Sequence, residues 1–146
     1  MTAPHALPRL FLLVLAAVLL AWSGPAEAFG KRRQEQLTQL QSAYAAAIRW
    51  GEFEQAWEVV DPAYRQAHPL TELELSRYQQ LQVSGYREIG VVPDTDGGVV
   101  RLIELRVINR NTMAERSLRY RERWRWDDQA KRWWIADGLP DFWQGQ

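Results

Sequence analysis

The stretch Ser117-Leu118-Arg119-Tyr120-Arg121-Glu122-Arg123-Trp124-Arg125-Trp126, followed after a polar turn by Trp133-Trp134-Ile135, decides the fold. A strand turns successive side chains to opposite faces. This alternation therefore sets Arg119, Arg121, Arg123 and Arg125 on one face and Leu118, Tyr120, Glu122, Trp124 and Trp126 on the other. Such an aromatic face needs an apolar cover, and the residues upstream read as that cover.

Working outward, the same period of two marks Leu81 to Val92 as a first strand, closed by Pro93 and the turn Asp94-Thr95-Asp96-Gly97-Gly98. Val99 to Asn109 is the second strand, Glu115 to Trp126 the third and Arg132 to Asp137 the fourth. With Asn111 and Thr112 as the tip of a two-residue hairpin, Glu122 faces Arg101, Tyr120 faces Ile103 and Leu118 faces Leu105. On the opposite face Arg119 meets Glu104. A slip of one residue would mix arginines with aromatics, so the register is well determined. Across the next turn Trp124 comes near Ile135 and Glu122 near Asp137.

Before the strands the period is that of a helix. Leu37, Leu40, Ala43, Tyr44, Ala47 and Ile48 form one face of a helix from Gln34 to Trp50, ended by Gly51. Phe53 to Val60 reads as a second helix burying Phe53, Trp57 and Val60. Asp61-Pro62 caps a short helical turn, Ala63 to Ala67. Thr71 and Glu74 have the spacing of a capping box opening a helix from Glu72 to about Gln80. Helices first and a meander after define an α+β domain: N-terminal helices packed on a four-stranded antiparallel sheet.

The run Tyr44-Ala45-Ala46-Ala47-Ile48-Arg49-Trp50-Gly51-Glu52-Phe53, with Trp57 and Asp61-Pro62 behind it, resembles the opening of the nuclear-transport-factor-2-like (cystatin-like α+β) superfamily. In that superfamily the first helix ends in Gly-Asp or Gly-Glu and a short second helix follows. The resemblance implies a curved sheet wrapped around the long helix as a cone, which in relatives hosts a ligand pocket, an active site or neither. The spacing of Tyr44 to Gly51 is also similar to that of the oxyanion-donating tyrosine in ketosteroid isomerases of this superfamily. Only that tyrosine carries over. Where the isomerases hold their base on an early strand, this chain has Asp61-Pro62-Ala63-Tyr64 and further helix-like sequence.

The 146 residues allow one domain, preceded by Leu10 to Trp22, an unbroken apolar run, and Ala26-Glu27-Ala28, small residues of the kind a signal peptidase reads. The expectation is cleavage between Ala28 and Phe29, a domain of residues 29–146 and a periplasmic location. A helix over the run would rise roughly 20 Å against a hydrocarbon core of about 30 Å, which favours a cleaved signal over a retained anchor, and no stable span is expected after cleavage. If the segment is retained as an anchor instead, Lys31-Arg32-Arg33 is its basic flank. The chain has no cysteine, which excludes disulfides and thiol chemistry, and its zero net charge argues against a broadly basic surface.

Two constellations are candidate sites. On the inner face, Arg101, Tyr120, Glu122, Trp124 and Asp137, with Tyr44 from the helix, would line the floor of a pocket. Paired carboxylates in an apolar surround carry a raised pKa and can act as acid or base. The structural reading of the same residues is an Arg101–Glu122 ion pair that satisfies the face. On the outer face, Arg119, Arg121, Arg123 and Arg125 match lipid headgroups or an anionic polymer by two-pronged guanidinium contacts, or form a solvated face. Asp94, Asp96 and Gly97 lack the later ligands of a calcium loop and read as a hairpin turn. No metal ligand set, glycine-rich phosphate loop or cofactor motif is present in the sequence, and nucleic acid is not an expected partner.

These readings converge on an exported binding or accessory module, monomeric or homodimeric, for a small molecule or an envelope protein. An enzyme would need Glu122 or Asp137 as base and Tyr44 or Tyr120 as donor. A structural partner would dock through the outer sheet face at Leu102, Trp134 and the arginines.

Overall fold

Leu37, Tyr44, Ala47 and Ile48, spaced by seven, three and one, are all buried, so the helical face read from the sequence is the face that packs. Ala43 is exposed and Leu40 half-buried, because the buried stripe is narrower than the apolar one. The computed structural model describes residues 24–143. The chain divides into two compact units, Met1–Glu35 and Gln36–Gln146. The apolar run on which export rests, Leu10 to Trp22, lies outside the described residues. Among the described residues no helix is long and apolar enough to cross a membrane.

Helix α1 spans Gly24–Trp50, starting ten residues before the expected Gln34. Glu27 lies in its first described turn. The expected cleavage point lies within it. Helix α2 is Phe53–Glu58, shorter than expected, and buries Phe53 and Ala56. Trp57 is half-buried against Tyr64, their ring centres 6.2 Å apart. Helix α3, Pro62–Ala67, is capped by the Asp61 carboxylate, which accepts from the Ala63 N–H at 2.8 Å. Helix α4, Glu72–Gln79, opens with the expected capping box: Thr71 accepts from the Glu74 N–H at 3.2 Å, and Glu74 from the Thr71 N–H at 2.9 Å.

Strands β1 (Leu81–Pro93), β2 (Val99–Asn109), β3 (Glu115–Asp127) and β4 (Arg132–Ile135) form one antiparallel sheet in chain order. Helices and sheet together make the α+β architecture that the periodicities define. The β2–β3 register pairs Arg101 with Glu122, Ile103 with Tyr120, Glu104 with Arg119 and Leu105 with Leu118, all as expected. The turn itself differs from the two-residue tip. The last pair is Asn109 and Ala114, and Met113 takes a left-handed φ of 58°. The Asn109 side chain accepts from the Asn111 and Thr112 N–H groups and so steadies the wider loop. Both turns preserve the same pairing sum, which is why the register survives the change.

Between helices and sheet lies one core, with Leu37, Tyr44, Ile48, Phe53 and Val60 against Val83, Ile103, Leu105, Trp124 and Ile135. Two pieces close its ends. Val59–Asp61 runs parallel beside β4, the Ile135 N–H donating to the Val59 carbonyl and the Asp61 N–H to the Ile135 carbonyl. Phe142 docks back on Phe53 and Tyr78 at 5.9 and 5.7 Å between ring centres.

Candidate functional site

The strict alternation of β2 and β3 delivers two charged side chains, Arg101 and Glu122, to the helix-covered face, directly opposite each other. Glu122 has no exposed surface, and Arg101 is 8% exposed. One carboxylate oxygen of Glu122 accepts from Arg101 Nη1 at 2.9 Å and from Trp124 Nε1 at 2.6 Å. The other accepts a short hydrogen bond from the Tyr86 hydroxyl. Arg101 is held from its other side by Glu88, whose carboxylate accepts from Nε at 2.5 Å. A buried carboxylate needs this many donors, because each unsatisfied oxygen in a medium of low dielectric is costly.

Above this network the hydroxyls of Tyr44 and Tyr120 meet at 3.0 Å, and the Tyr44 ring stands edge-on to Trp124 at 5.9 Å. Burial pushes the Glu122 carboxyl above the usual carboxylate range, against the opposing pull of Arg101 and the donors from Tyr86 and Trp124. Burial likewise raises Tyr44 and Tyr120 well above the usual phenol value, and the Glu122 charge adds to both. Tyr86 is raised by burial and then by the same charge. Protons on these three phenols therefore stay in place at neutral pH.

Of the residues expected on a pocket floor, Tyr44, Arg101, Tyr120, Glu122 and Trp124 do come together. Asp137 does not. The β3–β4 ladder ends at the Trp124–Ile135 pair, and the Ala136 N–H donates to the Arg123 carbonyl as the chain leaves the strand. Gly138 follows with φ of 84° and lies against the Tyr64 ring, where a Cβ would meet ring carbon at 2.6 Å. Released from strand alternation, Asp137 turns outward and takes Arg123 in a two-pronged pair at 2.7 and 3.1 Å. The inner face thus holds one carboxylate near Tyr120 and Trp124.

Tyr86 and Glu88 complete the network and were not singled out from the sequence. Their strand carries bulges between Val83 and Gly85 and between Glu88 and Gly90, which break the period of two on which the face assignment depended.

The outer arginine row divides in two. Arg123 pairs with Asp137, and Arg125 pairs with Asp61. Burial alone would raise Asp61, but the Arg125 hydrogen bond and the Ala63 N–H outweigh it and hold its carboxyl below the usual range. Arg119 and Arg121 are exposed. Glu104, opposite Arg119 in the ladder, gives its ion pair to Arg87 at 2.6 Å instead. Trp134, expected on the open face, is 7% exposed: the Arg132 guanidinium stacks on its ring at 3.8 Å, and its Nε1 donates to Asp127 at 3.2 Å. The turn at Asp94 closes as a hairpin through the Asp94 N–H and the Gly98 carbonyl at 2.9 Å.

No family model matches this chain. No curated protein matches it either. The geometry offers a fully enclosed, fully bonded acid on the inner face and the exposed guanidinium groups of Arg119 and Arg121 on the outer one.

Proposed function

We propose that this chain is an exported, non-catalytic member of the nuclear-transport-factor-2-like superfamily, serving as a binding or accessory module of the bacterial envelope. The observation that carries the non-catalytic part is the state of Glu122. Both its oxygens are taken by Arg101, Trp124 and Tyr86, with no exposed surface. A general base must come within hydrogen-bond reach of the proton it removes. Here that reach is spent on the protein's own side chains, so the network acts as a polar core that fixes the sheet register beneath α1.

Membership in the superfamily is supported by the order of elements, helices then a four-stranded meander, together with the Tyr44 to Phe53 run and the Asp61-Pro62 cap. Export is supported by the apolar run Leu10 to Trp22 and the small residues at Ala26 and Ala28. The test is native mass spectrometry of the protein recovered from the periplasm of a bacterium expressing the full chain. The expected species begins at Phe29 and carries an added mass that leaves on denaturation. A bare species would overturn the binding role, and a chain that keeps Met1 and stays in the cytoplasm would overturn export.

A further inference from the structure

Where the C-terminal end of α1 meets the edge strand β1 lies a cleft of about 620 Å³, with Tyr86 of the Glu122 network among its lining residues. Its walls bring Arg49 from the helix, Ser84, Gly85 and Arg87 from β1, and Glu104 and Arg106 from β2. Three guanidinium groups thus surround one carboxylate, and that carboxylate is already engaged by Arg87 at 2.6 Å. Arg49 is fixed at the cleft by a neutral acceptor, the Tyr86 carbonyl, at 3.2 Å. Arg106 has its carboxylate contact, Glu115, at 3.8 Å, beyond hydrogen-bond length.

The backbone is shaped for Arg106. The bulge between Val83 and Gly85 gives β1 an extra residue, Ser84, and sets Gly85 opposite Arg106. A Cβ at position 85 would stand 2.7 Å from Arg106 Nε and 3.2 Å from its Nη2, so the guanidinium lies against bare backbone. In the sheet register the exposed Arg119 and Arg121 lie across from Glu104 and Leu102 and extend the positive field over the same face.

We propose that this cleft binds an oxyanion of the phosphate or sulfate type, with Arg106 and Arg49 as its charged donors and Ser84 as a hydroxyl donor. Guanidinium forks offer paired N–H groups to such oxygens, and donors arriving from three different elements suit a tetrahedral group better than a planar one. The volume is within the range of small-molecule sites and far exceeds a single ion, which leaves room for an organic group carrying the anion. This goes beyond the accessory-module reading and stands whether or not that reading holds, since none of the donors it names, Arg106, Arg49 and Ser84, bonds Glu122.

The experiment is a titration of the isotope-labelled full chain with sodium phosphate at constant ionic strength, followed by amide and guanidinium NMR. Saturable shifts at Ser84, Gly85 and the Arg106 Nε–H are expected. Arg106→Gln should weaken binding at least about tenfold, about 1.4 kcal/mol. Gly85→Ala should weaken it too, by displacing the guanidinium, while Arg123→Gln on the same face should leave it unchanged. Arg106 is more than half exposed, so the Gln variant keeps the fold, and the same spectra verify this. Repeating the titration with glycerol phosphate separates the sources. Tighter binding than phosphate supports an anion carried on an organic group, and equal binding supports the free ion. Shifts that sodium chloride reproduces, shifts elsewhere, or unchanged binding in Arg106→Gln would overturn the proposal.

Discussion

On the covered face of the sheet, Arg101 lies opposite Glu122 with almost no exposure, whereas one residue along each strand Leu102 lies opposite Arg121 in solvent. Both faces carry arginines, and the pleat decides which are enclosed and which stand in solvent. Inside, the Glu122 carboxylate is met by three donor side chains, Arg101, Trp124 and Tyr86, and Arg101 in turn by Glu88. Outside, the arginines are exposed or half-exposed and pair with Glu104 on the same face or with acids at the rim, such as Asp137, Asp61 and Asp127. A buried pair contributes little net stability when intact, yet removing one partner is costly because the other charge is left stranded. An exposed pair is worth a fraction of that.

The sharpest way to break this contrast is Glu122→Gln. It strands Arg101 against Glu88 alone and sets an amide N–H₂ toward the donors of Tyr86 or Trp124, so a loss of about 3 kcal/mol in urea unfolding is expected. A loss below about 0.5 kcal/mol would mean that the inner pair behaves like an outer one. Asp61→Ala should cost about 2 kcal/mol, since it removes both the cap of α3 and the partner of Arg125. Circular dichroism during unfolding measures it.

Next is Tyr120→Phe, which takes the hydroxyl partner from Tyr44 and should cost about 1 kcal/mol, with the fold unchanged. Smallest is Arg123→Gln, expected within about 0.5 kcal/mol despite its two-pronged pair with Asp137, because both partners are about half exposed. A larger loss would show that the outer face depends on its ion pairs after all.

The pH dependence separates the faces by sign. Glu122 has a raised folded pKa, so the folded state binds its proton more tightly than the unfolded one. Its contribution makes stability fall as pH rises from the ordinary glutamate value through the raised one. Asp61 is lowered, so its contribution is present above the ordinary aspartate value and is lost as pH falls through the lowered one. Unfolding of Glu122→Leu and Asp61→Asn across acid pH should remove these two slopes one at a time.

Much of this contrast was legible in the sequence where the backbone is regular. The β2–β3 pairs followed from strict alternation and a tight loop, even though the loop is wider than the two-residue tip, because register depends on the sum of paired positions. Legibility ended where the backbone departs from that rule. Two bulges in β1 hid Tyr86 and Glu88, and the end of β4 at Ile135 sent Asp137 to the opposite face. Alternation places Trp134 on the open face but says nothing of a neighbour such as Arg132 folding over it. The cleft at Gly85 was out of reach for the same reason as Tyr86: it exists because of a bulge.

Glu122 is an enclosed structural acid, and its own titration, followed by the carboxyl ¹³C resonance of the labelled protein, measures this directly. A midpoint above the ordinary glutamate range is expected, with the Trp124 indole and Tyr86 ring signals moving at the same midpoint. A midpoint at or below the ordinary value, with the indole signal unmoved, would mean a solvated carboxylate in an open pocket and would contradict it.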